Sequence, residues 1–390
     1  MKRSTDRILT THVGSLTRPE QLLKLYREEA SPEELNPCLS AAVKDVVKQQ
    51  ADAGIDVVND GEFGKPMTEE VDYGAWTTYM YTRLGGYEIR DRDPDFNALE
   101  VLMGQSKDRR DFAEFYRDGL DGTQHKRGAY RFPVNVAPVT YAGHDQVQRD
   151  IDNLKAALGE VDVADSFISA VATGVQIGPS EYYATDEEYV VAIAEAMREE
   201  YLAITNAGLN VQIDDPILVN MYEMNYSISG DMTGFRKWAE GHIELINHAL
   251  EGIPEEQVRY HLCWGSWLGP HSTDLPLKDV IDLVLKVNAS QYSVEGANAQ
   301  HEHEWKVWQD VKLPDGHAVI PGVVTHKTTI LEHPELVADR IIRYAEMVGR
   351  ENVIASTDCG LGGRMHPQLA WAKLKALAEG ARLATEKLWS

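Results

Sequence analysis

The stretch Arg259-Tyr260-His261-Leu262-Cys263-Trp264-Gly265 decides how this chain is read. Taken as a β-strand, its period of two puts His261 and Cys263 on one face, so an imidazole and a thiolate reach the same point. Nitrogen and sulfur donors converging in this way suit zinc. A second cysteine, Cys359, follows another strand-like run, Asn352-Val-Ile-Ala-Ser-Thr357, and becomes a third ligand if the fold brings the two strand ends together.

Outward from that strand, apolar β-prone runs alternate with helical patterns in both directions. The strand-like runs are Ile8–Val13, Ile55–Asn59, Ser166–Thr173, Leu209–Asp214, the His261 strand, Gln291–Glu295, Ala318–Thr325 and Asn352–Thr357. Helical periodicity covers Arg18–Ala30, Glu33–Ala53, Asp186–Ala207, Gly234–Leu250, Leu277–Val287, Pro334–Val348 and Pro367–Leu388. Gly54 and Gly208 stand where helix ends need a cap.

The stretch from Gly64 to about Asp165 breaks the alternation. It is rich in tyrosine and charge, and its apolar run Phe132–Tyr141 carries Pro133 and Pro138, which suit a central strand poorly. We read 64–165 as an insertion after strand two, packed over one barrel end and covering the active site. What is left is eight strands, each followed by a helix. That pattern predicts an α/β chain whose residues 1–390 form a single (β/α)8 TIM barrel domain. A doubly wound sheet would call for a glycine-rich phosphate turn after strand one, and Gly14-Ser15-Leu16-Thr17-Arg18 is not one.

Composition narrows the partners. The formal net charge is −24 with no compensating basic run, so nucleic acid and anionic membrane surfaces are expected to be repelled. A polar Ser4-Thr5-Asp6 occupies the place where a secretory signal keeps its apolar segment, and no stretch of about 18 apolar residues could span a bilayer. Cytoplasmic residence is the expectation. Three cysteines make no disulfide framework and point to free thiols; Cys38, at a helix start, reads as packing.

The polar residues Ser15, Glu62, Asp214, His261, Cys263, Glu295, His326 and Cys359 all fall at or just past predicted C-terminal strand ends, where barrel active sites form. The pieces Thr10-Thr-His-Val-Gly-Ser15, Asn59-Asp-Gly-Glu62, Gln212-Ile-Asp-Asp-Pro216, His261-Leu-Cys263, Ser293-Val-Glu295 and Asp358-Cys-Gly360 resemble, in order and place, the C-terminal catalytic barrel of cobalamin-independent methionine synthases. The chain looks like a short single-barrel homologue of that family.

The resemblance implies a Zn2+ site made by His261, Cys263, Glu295 and Cys359, at which a thiol substrate binds as thiolate and attacks an alkyl carbon. It also implies that Ser15 binds a substrate carboxylate, that Glu62 and Asp214 hold its ammonium, and that His326 is a general acid for the leaving group. The implied activity is a zinc-dependent thiol S-alkyltransferase, foremost methyl transfer to a thiol such as homocysteine. The implied partners are a small thiol and an alkyl donor, whether folate, a corrinoid protein or another electrophile.

Departures from the family pattern leave the donor open. The segment Gly174–Tyr183 carries no match for the folate-stacking tryptophan, although Tyr182 or Tyr183 offers a stacking surface. Alkylation of another thiol, such as coenzyme M, by an epoxide therefore stays beside methyl transfer. A zinc hydrolase or lyase stands further off, because two cysteine ligands weaken the Lewis acid, and further still a zinc-thiol binding protein without turnover. Trp264 and Trp267 read as packing, and His301 and His303 as a solvated loop or helix start. The sequence leaves the oligomeric state open.

Overall fold

The structure is a computed structural model that describes residues 1–67, 75–91, 104–119, 131–174, 178–363 and 365–390. Among the described residues ten strands follow one another. They are β1 (Leu9–Thr10), β2 (Val57–Asn59), β3 (Leu84–Asp91), β4 (Arg131–Tyr141), β5 (Asp165–Val171), β6 (Asn210–Asp215), β7 (Val258–Leu262), β8 (Gln291–Val294), β9 (Ala318–Val324) and β10 (Ile354–Thr357). Eight of them form one sheet in the order β1-β10-β9-β8-β7-β6-β5-β2, with every pairing parallel.

The two ends of that sheet meet. The Asp56 amide donates to the Thr10 carbonyl at 3.1 Å, and Thr11 Oγ1 donates to the Val57 carbonyl at 2.9 Å, so β1 and β2 close the cylinder. This is the expected TIM barrel. The strands are short and continuously apolar on their outer faces, as parallel strands covered by helices must be. The helices present periodic apolar faces to them; in Pro334–Val348, for example, Val337, Ala338, Ile341, Tyr344 and Ala345 are buried.

The barrel interior is more polar than its walls. Arg259 is 1% exposed, with its guanidinium 4.0 Å above the Phe167 ring and a hydrogen bond to Thr11 Oγ1. Burial lowers its pKa to about 9. The parallel register sets Asp214 beside His261 and His261 beside Ser293, so neighbouring strands deliver their polar side chains at one height.

Two sequence expectations differ from the structure. Helix His144–Leu158, placed within the insertion, instead packs against Pro32–Asp52 and Asp186–Asn206 in the helical ring, because Val147, Ile151, Leu154 and Ala157 form one buried face. The proline-bearing run Phe132–Tyr141 is not a barrel strand: it lies within β4, which pairs with β3 in a separate antiparallel sheet and bridges Ser180 through Asn135. The predicted helix Leu277–Val287 divides into a 3₁₀ turn, Leu277–Asp279, and a short helix, Ile281–Val284, with Val280 turned out of helical geometry at φ −137°.

Gly322 in β9 lies flush against β10, and a Cβ there would come within 2.6 Å of Asp358 Cα and 2.8 Å of its amide nitrogen. Gly322→Ala should therefore destabilise the fold by about 1–3 kcal/mol, as overpacking does. Urea denaturation checks this, and an unchanged midpoint would contradict it.

Candidate metal centre and active site

The ends of β7 and β10 bring the two sequence-distant cysteines together. Cys263 extends the β7 ladder by one step, its amide donating to the Asp215 carbonyl at 3.1 Å, which holds its side chain on the same face as His261. Its Sγ lies 3.6 Å from Cys359 Sγ, and a ring nitrogen of His261 and both sulfurs all fall within 4.8 Å of one another. Neither is in a disulfide, and both are buried.

His261 Nδ1 faces Ser293 Oγ at 3.3 Å, while Nε2 is buried with no nitrogen or oxygen partner. A neutral imidazole anchored through one nitrogen presents the other as a donor, the arrangement metal-binding histidines use. Burial disfavours the His261 imidazolium, yet Cys359, Asp214 and Glu295 around it raise its pKa. The bond to Cys359, and burial after it, push the Cys263 thiol well up. Protons therefore sit where a cation would replace them, and the N,S,S donor set fits a borderline-soft divalent ion such as zinc.

Glu295, just past β8, stands in an adjoining group with His326 and Asp358. Its Oε2 accepts from Asn298 Nδ2 at 2.6 Å and its Oε1 from the Trp264 amide at 3.4 Å. Burial raises its pKa to about 8. Asp358 Oδ1 in turn accepts from the Gly296 and Ala297 amides, both at 2.8 Å, tying the Glu295 loop to the strand end that carries Cys359.

A cavity of about 260 Å³ opens on the sulfur pair. Ser15, Glu62 and Asp214 line it with His261, Cys263 and Cys359, so six of the sequence candidates share one chamber. Ser15 is held there by its carbonyl, which accepts from the Leu361 and Gly362 amides at 3.0 and 2.9 Å. Glu62 sits at φ 61° and pairs with Lys65 at 3.4 Å. Gly14, at φ 145°, passes so close that a Cβ would collide with Glu62 Oε1 and lie 2.8 Å from Ser169 Oγ.

Asp214 Oδ1 accepts from Gln212 Nε2 at 2.6 Å, and its Oδ2 is buried without a partner. Burial raises its pKa to about 7, opposed by His261 and reinforced by Glu62. His326 is buried beside Glu295 and Asp358, behind the cavity wall. Tyr182 and Tyr183 stand apart from the chamber: Tyr183 accepts from the Val139 amide at 2.9 Å and stacks on Tyr189, and Tyr182 is 51% exposed.

Other residues emerge only from the structure. Arg18 and Lys65 line the cavity as buried cations, and Trp267, expected to pack, forms part of its wall; Trp264 is fully buried as expected. His301 is buried rather than solvated, bridging Asp274 at 3.1 Å and Glu304 at 2.9 Å, whereas His303 is exposed. No motif marks these residues: their place in the site is set by the fold, even where Lys65 and His301 also have a partner three positions away.

A buried imidazole and two buried cysteine thiols at the C-terminal mouth of a (β/α)8 barrel define a protein that presents sulfur and nitrogen donors to one point. The chain belongs to the family described as the catalytic domain of cobalamin-independent synthases, which matches residues 99–383. It is 23% identical to 2-hydroxypropyl-CoM lyase of Xanthobacter autotrophicus, over 98% of this chain and 96% of that protein. It is 25% identical to a methionine synthase of Saccharolobus solfataricus, over 97% and 95%. Among solved structures, a B12-independent methionine synthase from Shewanella in complex with selenomethionine shares the fold, with a TM-score of 0.69, 20% identity and coverage of 98% and 99%. Among the described residues no helix is long and apolar enough to cross a membrane.

The His301 pair has a measurable signature. Burial opposes its imidazolium, but Asp274 and Glu304 raise its pKa from 6.5 to about 10. A raised folded pKa contributes stability in full below 6.5 that is lost as pH climbs through 10. The stability gap between wild type and His301→Gln should therefore shrink across that interval in denaturant titrations at stepped pH. A gap that widens toward alkaline pH would contradict the assignment.

Proposed function

We propose that this chain is a single catalytic unit acting as a zinc-dependent thiol S-alkyltransferase, with His261, Cys263 and Cys359 as metal ligands and Glu295 as the fourth. The observation that carries it is the convergence of two buried cysteine thiols and the His261 imidazole on a cavity of substrate size. Zinc bound there would lower the pKa of an incoming thiol and hold it as thiolate, the nucleophile for an alkyl carbon.

The residues around the cavity divide the remaining work. Ser15 offers a hydroxyl toward the head group of the thiol. Glu62 and Asp214 face each other across the same chamber and hold an ammonium when the substrate is an amino-acid thiol. Asn298 holds Glu295, which leaves that carboxylate able to yield its place to the substrate sulfur. In this reading His326, next to Glu295, supplies the proton taken up by the departing group.

Methyl transfer to homocysteine is the first reading of the substrate pair. A second reading has support of its own: Glu62 already has a cation in Lys65, and Arg18 lines the same cavity, which suits a thiol carrying an anionic head group and no ammonium, as coenzyme M does. An epoxide then serves as the alkyl donor.

Cys359→Ala should lose near-stoichiometric zinc and thiol alkylation together, by metal analysis and by product formation from homocysteine and coenzyme M with methyl donors and epoxypropane. Asp214→Asn should raise KM for an amino-acid thiol by about ten- to a hundredfold, the worth of a charged hydrogen bond, and spare coenzyme M. Full zinc content and full activity in Cys359→Ala would overturn the site.

A further inference from the structure

The loop after β2 carries a lysine into the chamber. Lys65 is 6% exposed, lines the cavity, and sets its Nζ 3.4 Å from Glu62 Oε2. The ammonium also lies over the Tyr79 ring, 5.0 Å from its centre. Its charge reaches Asp214 and Asp60 as well, where it opposes the rise in pKa that burial imposes on each carboxyl.

The backbone builds this placement. Glu62 sits at φ 61°, a conformation that persists only where its surroundings impose it, and the Lys65 amide donates back to the Glu62 carbonyl at 3.1 Å. A tight turn thus returns the lysine to its own glutamate. Each carbonyl of the turn is then captured by a side chain. Arg18 Nη2 donates to the carbonyls of Glu62 and Lys65, Tyr26 Oη to that of Phe63 at 2.6 Å, and Arg149 Nη2 to that of Gly64 at 3.1 Å. Gly64 itself is pressed on Asp150, whose carboxylate a Cβ would strike. A turn held by this many partners is preorganised, and Lys65 is part of the chamber wall.

The charges of that wall decide what it accepts. Among the described residues that line the chamber, Glu62 and Asp214 are the carboxylates, and Arg18 and Lys65 are the arginine and lysine. An incoming ammonium would have to part Glu62 from Lys65 inside a buried site, and breaking a buried ion pair is strongly unfavourable. A thiol whose far end is a bare acid group leaves the pair intact. We propose that Lys65 selects the thiol: it supplies from within the chain the ammonium that an amino-acid thiol would bring, so the site prefers a mercapto acid, a thiol joined to a carboxylate or sulfonate with no amino group. This rests on the alkyltransferase reading and, within it, turns the choice of thiol away from homocysteine.

The test is calorimetric titration of the zinc-loaded protein with homocysteine and with 4-mercaptobutanoate, which is homocysteine without its amino group. Wild type is expected to bind the mercapto acid about ten- to a hundredfold more tightly, the worth of a charged hydrogen bond. Lys65→Met should erase or invert that preference by freeing Glu62, while Lys65→Arg keeps it. The wild-type comparison decides even where Lys65→Met folds poorly. Homocysteine bound as tightly as 4-mercaptobutanoate by wild type, or a preference that Lys65→Met leaves untouched, would overturn the role of Lys65 and leave thiol binding at zinc intact. Binding of neither thiol would overturn the selection by Lys65 and the alkyltransferase reading together.

Discussion

Cys263 Sγ and Cys359 Sγ lie 3.6 Å apart although 96 residues separate them, and that closeness is fixed by backbone rather than by a disulfide. Three parallel ladders from β7 to β10 and a short extension past each strand end set it. Asp358 reinforces it, since one carboxylate oxygen caps the Gly296 and Ala297 amides while the next residue carries a sulfur. Two buried thiols and an imidazole in so small a volume hold protons that cost free energy to keep or to lose, and a bound cation resolves that cost.

The rest of the chamber is arranged around the same point. Polar groups of the barrel interior, Gln212, Ser169 and Arg259 among them, sit below the strand ends and hold the floor, so that Asp214 and Glu62 face the cavity from fixed positions. Glu62 at positive φ and Gly14 pressed against it show how closely the loops after β1 and β2 are fitted. The loop after β7 brings a different chemistry, an aromatic wall in which Trp267 stacks on His271.

Much of this was legible in the sequence because the barrel repeats a simple rule. Period-two alternation put His261 and Cys263 on one face, and the count of strand-helix units placed Asp214, Glu295 and Cys359 at the same end of the sheet. What escaped was set by tertiary pairing. His301 looked solvated because its partner Asp274 lies 27 residues away, outside any local pattern. Arg18 and Lys65 belong to no motif, and their cationic side chains gain significance only from the cavity beside them. Helix His144–Leu158 was assigned to the insertion although its apolar face was visible, because the length of the preceding irregular stretch hid where the alternation resumes.

The most direct test of the central claim is X-ray absorption at the zinc edge of the metal-loaded protein, with and without a panel of thiols that includes homocysteine and coenzyme M. Zinc held by His261, Cys263, Cys359 and Glu295 should show a mixed sulfur and nitrogen or oxygen shell, and one of the thiols should add a sulfur neighbour at the expense of an oxygen. A shell without sulfur, or one that no thiol alters, would contradict the assignment of these residues to thiol activation.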